Sequence, residues 1–159
     1  MLRVQRRAAA KVISGGRFAL VAARYNSRYV EGMLRAAKAE LLAAGSAVIE
    51  VIRVPGAFEI PVAAAALARR AEQRPEAILC LGVIWQGETT HAQHIGEAVT
   101  TALMQLAVET GVPVVHEVLT LAQPQQAKVR CLDPKTNRGT EAARTALEMA
   151  RLLRQLKPA

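Results

Sequence analysis

The chain has 159 residues, of which 52% are hydrophobic and only 3% aromatic, and its formal net charge is +8. This length predicts one domain with a hydrophobic core, and no apolar run is long enough for a transmembrane helix. The lysines and arginines are scattered and no aromatic-rich strand accompanies them, so we expect anionic small molecules rather than nucleic acid as partners. The two cysteines form no motif and fit a reduced, cytoplasmic setting.

The first half of the chain alternates predicted strands and helices. Apolar runs at residues 18–23 and 48–54 predict the first two strands. Gly45 ends the helix between them, whose apolar face is formed by Val30, Met33, Leu34, Ala37 and Leu41. Residues 55–56 predict a turn, and a second helix is expected over about residues 61–71 because proline suits a first helical turn.

The third strand and the loop after it organise the rest of the sequence. Residues 78–84 form a continuous apolar run, Gly87 breaks it, and helical spacing resumes after the threonines at 89–90. A strand, a tight loop and a helix leave backbone N–H groups free to bind an anion, with His91 beside them as a proton-transfer group. Most such junctions bind nothing, so the loop alone is weak evidence. We expect no metal, because no third ligand accompanies His91 and His94.

The second half of the chain continues the alternation. A third helix is expected from about 90 to 110, where Gly111 ends it, and residues 112–120 predict the fourth strand. Helical sequence resumes at about Pro124, is interrupted by a turn-rich segment at 133–139, and ends in a final helix. This order predicts a single-domain α/β three-layer sandwich, with helices on both faces of a four-stranded parallel sheet.

A scarce aromatic residue follows each of the first three strands. Tyr25 follows the first strand, Phe58 the second, and Trp85 the third. Ligands of parallel α/β sheets bind at the carboxyl ends of the strands. We therefore expect these side chains and His91 to meet at one edge of the sheet.

The same residues belong to motifs that resemble those of the lumazine synthases, enzymes of riboflavin biosynthesis. Residues 54–61 match the family pattern Val-Pro-Gly-Ala-Phe-Glu-Ile-Pro in full, and residues 24–26 match its Arg-aromatic-Asn. The likeness covers nearly everything from about residue 17 to 156 and implies the flavodoxin-like strand order. Further matches lie at Gly87, Thr89 and His91, at residues 109–114, at Arg130 and at residues 137–139.

The resemblance implies a reaction without metal or organic cofactor, in which 5-amino-6-(D-ribitylamino)uracil and 3,4-dihydroxy-2-butanone 4-phosphate give 6,7-dimethyl-8-ribityllumazine and phosphate. It implies His91 as the catalytic residue, and a histidine can relay the proton transfers that dehydration, elimination and ring closure need. It places phosphate at Glu88, Thr89 and Arg130. The pyrimidine- and ribityl-binding residues that it implies are Tyr25, Asn26, Ala57, Phe58, Glu59, Val83, Ile84, Trp85, His116 and Arg138.

The sequence departs from the family pattern at several of these positions. Trp85 replaces a smaller residue, and we expect it to fill the volume that Ala92 vacates where the family has an aromatic residue. His116 stands where a phenylalanine usually covers the pyrimidine, and it can still stack. Arg138 replaces a lysine and keeps its charge, and Gln86 replaces a common arginine.

The resemblance also implies a homopentamer whose neighbouring subunits share each site. Tyr25, Phe58 and His91 would come from one subunit, and His116 and Arg130 from the next. Some members close pentamers into sixty-subunit shells, which this sequence permits without requiring. Riboflavin synthase is a candidate partner.

We expect a basic N-terminal tail over residues 1–16 and the synthase domain over residues 17–157. Two alternatives stay open: a diverged enzyme that acts on another ketone phosphate, and a non-catalytic scaffold or nucleic-acid-binding module. The presence of Thr89, His91 and Arg130 argues against the second, because loss of catalysis should have removed at least one of them.

Overall fold

The computed structural model describes residues 16–157 and contains a four-stranded parallel sheet. Its strands are β1 (Arg17–Ala23), β2 (Val48–Val54), β3 (Ala77–Trp85) and β4 (Val114–Leu121). They lie in the flavodoxin-like order β2-β1-β3-β4, so the predicted fold class is confirmed. Of the predicted tail, residues 1–15 lie outside the described residues.

Helices cover both faces of the sheet. Helices α1 (Ser27–Ala43) and α5 (Arg138–Leu156) pack on one face, and α2 (Ile60–Ala68) and α3 (His91–Thr110) pack on the other. Each face has its own buried apolar core, because successive side chains of the buried strands point to opposite sides. None of these helices is long and apolar enough to span a membrane.

Two shorter helical segments complete the described fold. A 3-10 turn at Ala57–Glu59 precedes α2. The short helix α4 (Pro124–Ala127) continues into a π-helical turn at Lys128–Leu132. These segments follow β2 and β4, so they lie at the edge of the sheet where the strands have their carboxyl ends.

Several element boundaries differ from the sequence-based prediction, and three of these differences have a local cause. Helix α2 ends at Ala68 instead of about residue 71, and Arg70 pairs with a carboxylate on β2 instead of extending the helix. Strand β4 starts at Val114, because Pro113 has no N–H to donate to the sheet. Helix α5 starts at Arg138, inside the expected break, because the Asn137 side chain caps it.

A close helix contact lies where α1 crosses the start of α5. A methyl group on Gly139 would overlap the backbone of Met33, so only glycine allows this approach. Asn137 is 5% exposed and its amide donates to the carbonyl oxygens of Gly32 at 3.3 Å and Cys131 at 2.7 Å. Its own oxygen accepts from the Gly139 N–H at 2.8 Å. One buried side chain therefore joins α1, α5 and the π-helical turn.

This crossing predicts that Gly139→Ala destabilises the protein by about 1–3 kcal/mol, the usual range for overpacking a core. The overlap is with backbone, which cannot rotate away, so it outweighs the better helix propensity of alanine. Gly87→Ala is the matched control, because a methyl group there meets no heavy atom within 4 Å. The measurement is urea unfolding at one fixed protein concentration. Equal stability of the two variants would contradict the packing account.

Candidate functional site

A depression of about 530 Å³ lies at the carboxyl ends of β1, β2 and β3. It is lined by His91 and by every residue predicted to bind the pyrimidine and ribityl groups except His116 and Arg138. The parallel arrangement explains the gathering, because the loops after these three strands leave the sheet at the same edge. The structure therefore brings together most of the residues singled out in the sequence.

Two aromatic rings stand open at this depression. Tyr25 is 66% exposed and Phe58 is 59% exposed. Tyr25 is held by its backbone, whose N–H donates to the carbonyl oxygen of Pro55 at 3.0 Å. Phe58 lies in the 3-10 turn, which is closed by the Glu59 carboxylate accepting from the Gly56 N–H at 2.9 Å. Glu59 is thus engaged in supporting the turn, while the two rings are available for stacking.

A hydrogen bond ties the loop after β1 to the end of β3. Asn26 has a left-handed backbone with φ of 58°, and its amide donates to the carbonyl oxygen of Val83 at 2.7 Å. The two residues therefore use these polar groups on each other. Their predicted contacts with a ligand stay predictions, and the bond itself fixes the shape of the depression.

Trp85 packs on the α1 and α5 face of the sheet. Its ring meets Tyr29 edge-on, with ring centroids 5.6 Å apart and an interplanar angle of 81°. Ala92 belongs to the apolar core on the opposite face. The expectation that Trp85 fills the volume beside Ala92 is therefore wrong, since side-chain alternation along β3 sends Trp85 to the other side. Trp85 still borders the depression.

The loop from β3 to α3 is exposed. The residue at the N-cap position of α3 does not cap the helix with its side chain. Thr90 occupies the N-cap position without a side-chain hydrogen bond, and the Thr89 hydroxyl lies 3.5 Å from the His91 N–H, a limiting distance. Glu88 and Thr89 stand in this loop and do not line the depression, whereas His91 does. An uncapped helix N-terminus offers backbone N–H groups and the positive end of the helix dipole to an anion.

A second depression, of about 380 Å³, lies along β4, where His116, Arg130 and Arg138 meet. No residue lines both depressions. Nε2 of His116 hydrogen-bonds with the hydroxyl of Thr100 at 2.8 Å. Burial lowers the pKa of His116, which favours the neutral imidazole. Apart from Glu88 and Thr89, which line neither depression, the predicted site residues thus form two groups within one chain.

Glu117 is the residue that sequence reasoning missed. It is 5% exposed, and both of its oxygens accept from Arg138, from Nε at 3.0 Å and from Nη2 at 2.9 Å. Burial raises the pKa of Glu117, and the hydrogen bonds from Arg138 oppose this effect. A signal was available in the sequence, because a lone carboxylate among the apolar residues of a strand needs a buried partner.

Comparisons with known proteins give one consistent result. A family model described as 6,7-dimethyl-8-ribityllumazine synthase matches residues 15–154. The chain is similar to several proteins that carry this name. The relative from Kineococcus radiotolerans is 42% identical over 147 residues, which cover 91% of this chain and 89% of the relative. The relative from Stenotrophomonas maltophilia is 40% identical over 142 residues (88% and 90%), and that from Salinibacter ruber is 39% identical over 148 residues (92% and 94%).

The tether between Asn26 and Val83 predicts a specific loss of stability. Asn26→Gly keeps the positive φ and removes the hydrogen bond, which should lower the free energy of unfolding by about 0.5–1.5 kcal/mol. Asn26→Ala should lose about a further 1 kcal/mol, because alanine adopts a left-handed backbone less readily. Gln73→Gly is the matched control, since Gln73 also has a positive φ of 54°. We expect no loss there, and an equal loss in both glycine variants in urea unfolding would contradict the role of the tether.

Proposed function

Because the chain belongs to the 6,7-dimethyl-8-ribityllumazine synthase family, we propose that the depression at the ends of β1, β2 and β3 holds its pyrimidine substrate. The reaction condenses 5-amino-6-(D-ribitylamino)uracil with 3,4-dihydroxy-2-butanone 4-phosphate and releases phosphate. It is the penultimate step of riboflavin biosynthesis. The observation that carries the placement is the meeting of two exposed aromatic rings and His91 in this one depression.

The shape and polarity of the depression suit a flat heterocycle with a polar edge. Tyr25 offers an open ring face for stacking, and Phe58 adds apolar surface. The pairing of β3 with β1 ends at Leu81, so the last residues of β3 pair with β4 alone. Apart from the Val83 carbonyl, the backbone on the β1 side of this segment is available to the polar edge of the pyrimidine. The ribityl chain runs towards the turn at residues 57–59.

His91 is the proton-transfer group in this proposal. It stands at the first position of α3, is exposed, and lines the depression. After the amine attacks the ketone, loss of water, elimination of phosphate and ring closure all require protons to move. A histidine can both accept and donate a proton near neutral pH. His91 therefore shuttles protons between the reacting amine, the hydroxyl groups and solvent.

The phosphate group lies between the two depressions in the assembled enzyme. The backbone of Glu88 and Thr89 precedes the uncapped N-terminus of α3, which favours an anion. Arg130 supplies a cation, but it lines the depression along β4 instead. Because the two groups of residues share no member, we propose that each site joins the first depression of one subunit to the second depression of its neighbour. A homopentamer with head-to-tail contacts repeats this composite site at every interface.

We place this enzyme in the cytoplasm, where its product passes to riboflavin synthase. The buried, free thiols of Cys80 and Cys131 support a reducing compartment.

The function is tested by the fluorescence of 6,7-dimethyl-8-ribityllumazine formed from the two substrates. His91→Ala should lower turnover by about 10²–10⁴-fold, the usual contribution of general acid–base catalysis, while binding of a pyrimidine analogue stays nearly intact. His94→Ala is the matched control, because His94 lies one turn further along α3 and does not line the depression. We expect wild-type turnover from it. Equal turnover of the two variants would contradict the role of His91, and absence of lumazine from the wild type would contradict the function.

A further inference from the structure

The depression along β4 contains two arginines and one buried carboxylate. Arg130 and Arg138 both line it, together with Glu117. Two guanidinium groups in one concavity would ordinarily hold a phosphate dianion with two charges. The pairing of the side chains shows that the two arginines are not equivalent.

The positive charge of Arg138 is compensated by neighbouring carboxylates. Its Nε and Nη2 donate to the two oxygens of Glu117 at 3.0 and 2.9 Å, and its Nη1 donates to Glu141. A guanidinium has five N–H donors, so these three bonds hold the group in one orientation and use most of its donors. The positive charge of Arg138 faces two negative charges.

Arg130 has a different environment. It is exposed on the π-helical turn, and no carboxylate of residues 16–157 forms an ion pair with it. It lines the depression, and its charge is offset there only at longer range, by the Glu117 carboxylate. Of the two arginines in the described part of this depression, Arg130 is the one without an ion-paired carboxylate.

We propose that Glu117 is a positioning residue that sets the charge of the phosphate half of the site. It orients and neutralises Arg138, so that Arg130 alone supplies the charge that holds phosphate. This inference rests on the proposed function, because it takes the phosphate group to lie at Arg130. A site with one uncompensated arginine holds the released phosphate less tightly than a site with two, which favours product release.

The test is the affinity of the assembled protein for inorganic phosphate, measured by titration calorimetry. Glu117→Gln keeps the shape of the side chain and removes its charge, so phosphate should bind about two- to fivefold more tightly. Glu141→Gln is the matched control, because it removes the same charge from the same guanidinium at a side chain that is 51% exposed. Water screens an exposed charge, so its effect should be smaller.

A double substitution separates the effect of charge on phosphate affinity from a direct contact between Arg138 and phosphate. Glu117→Gln combined with Arg138→Gln restores the charge balance and should return phosphate affinity to the wild-type value. Arg138→Gln alone leaves the Glu117 carboxylate unpaired, and phosphate should bind more weakly at a pH high enough to keep that carboxylate ionised. The comparison of Arg138→Gln with the double variant tests how the Glu117 charge affects phosphate affinity, even if Glu117→Gln alone does not fold. A purely structural role for Glu117 predicts no gain in phosphate affinity in any variant.

Three results with the Glu117, Glu141 and Arg138 variants would overturn the inference. They are unchanged or weaker phosphate binding by folded Glu117→Gln, an equal effect of Glu141→Gln, and a double variant that binds phosphate more weakly than the wild type, since Arg138 would then contact phosphate itself. Arg130→Ala should weaken phosphate binding by at least about tenfold, as expected for a lost charged hydrogen bond. If Arg130→Ala had no effect, the phosphate placement in the proposed function would be wrong, and this inference with it. Lumazine formation by the wild type tests the reaction separately.

Discussion

The hydrogen bonds of one buried amide hold the segments that carry the two arginines. Asn137 caps α5, whose first residue is Arg138, and it donates to the carbonyl oxygen of Cys131 in the turn that carries Arg130. It also donates to Gly32, which fixes both segments against α1. A buried amide left without partners would cost about 1–3 kcal/mol, so this network holds one arrangement strongly. The position of the proposed phosphate half of the site follows from it.

The sheet order constrains the other half of the site. Because β3 lies between β1 and β4, the loops after β1, β2 and β3 gather beside α3, while the segments after β4 lie along an edge of the sheet. Tyr25, Phe58 and His91 therefore line one depression of the chain, and Arg130 lines another. The proposed head-to-tail ring of identical subunits would bring these unlike surfaces together at every interface and turn two half-sites into one.

Much of this arrangement was predictable from the sequence. The continuous apolar run at residues 78–84 and Gly87 located the central strand and the loop before His91, and the motif at residues 54–61 located the turn with Phe58. The direction of the Trp85 side chain was not predictable, because the side of the sheet that a strand-end residue faces depends on the register along the whole strand. Glu117 escaped notice because its partner, Arg138, lies 21 residues away on another element. Local patterns locate elements, but they do not identify pairs that form only after packing.

The central claim is that the active site is completed by a neighbouring subunit, and mixed assembly tests it most directly. The variants His91→Ala and Arg130→Ala each impair a different half of the site, so each ring made of one variant alone should stay impaired. When the two are dissociated and reassembled together in equal amounts, about a quarter of the interfaces join an intact His91 to an intact Arg130. The account predicts that about a quarter of wild-type activity returns. Activity equal to the average of the two variants, in rings whose mixed composition is verified by mass, would contradict it.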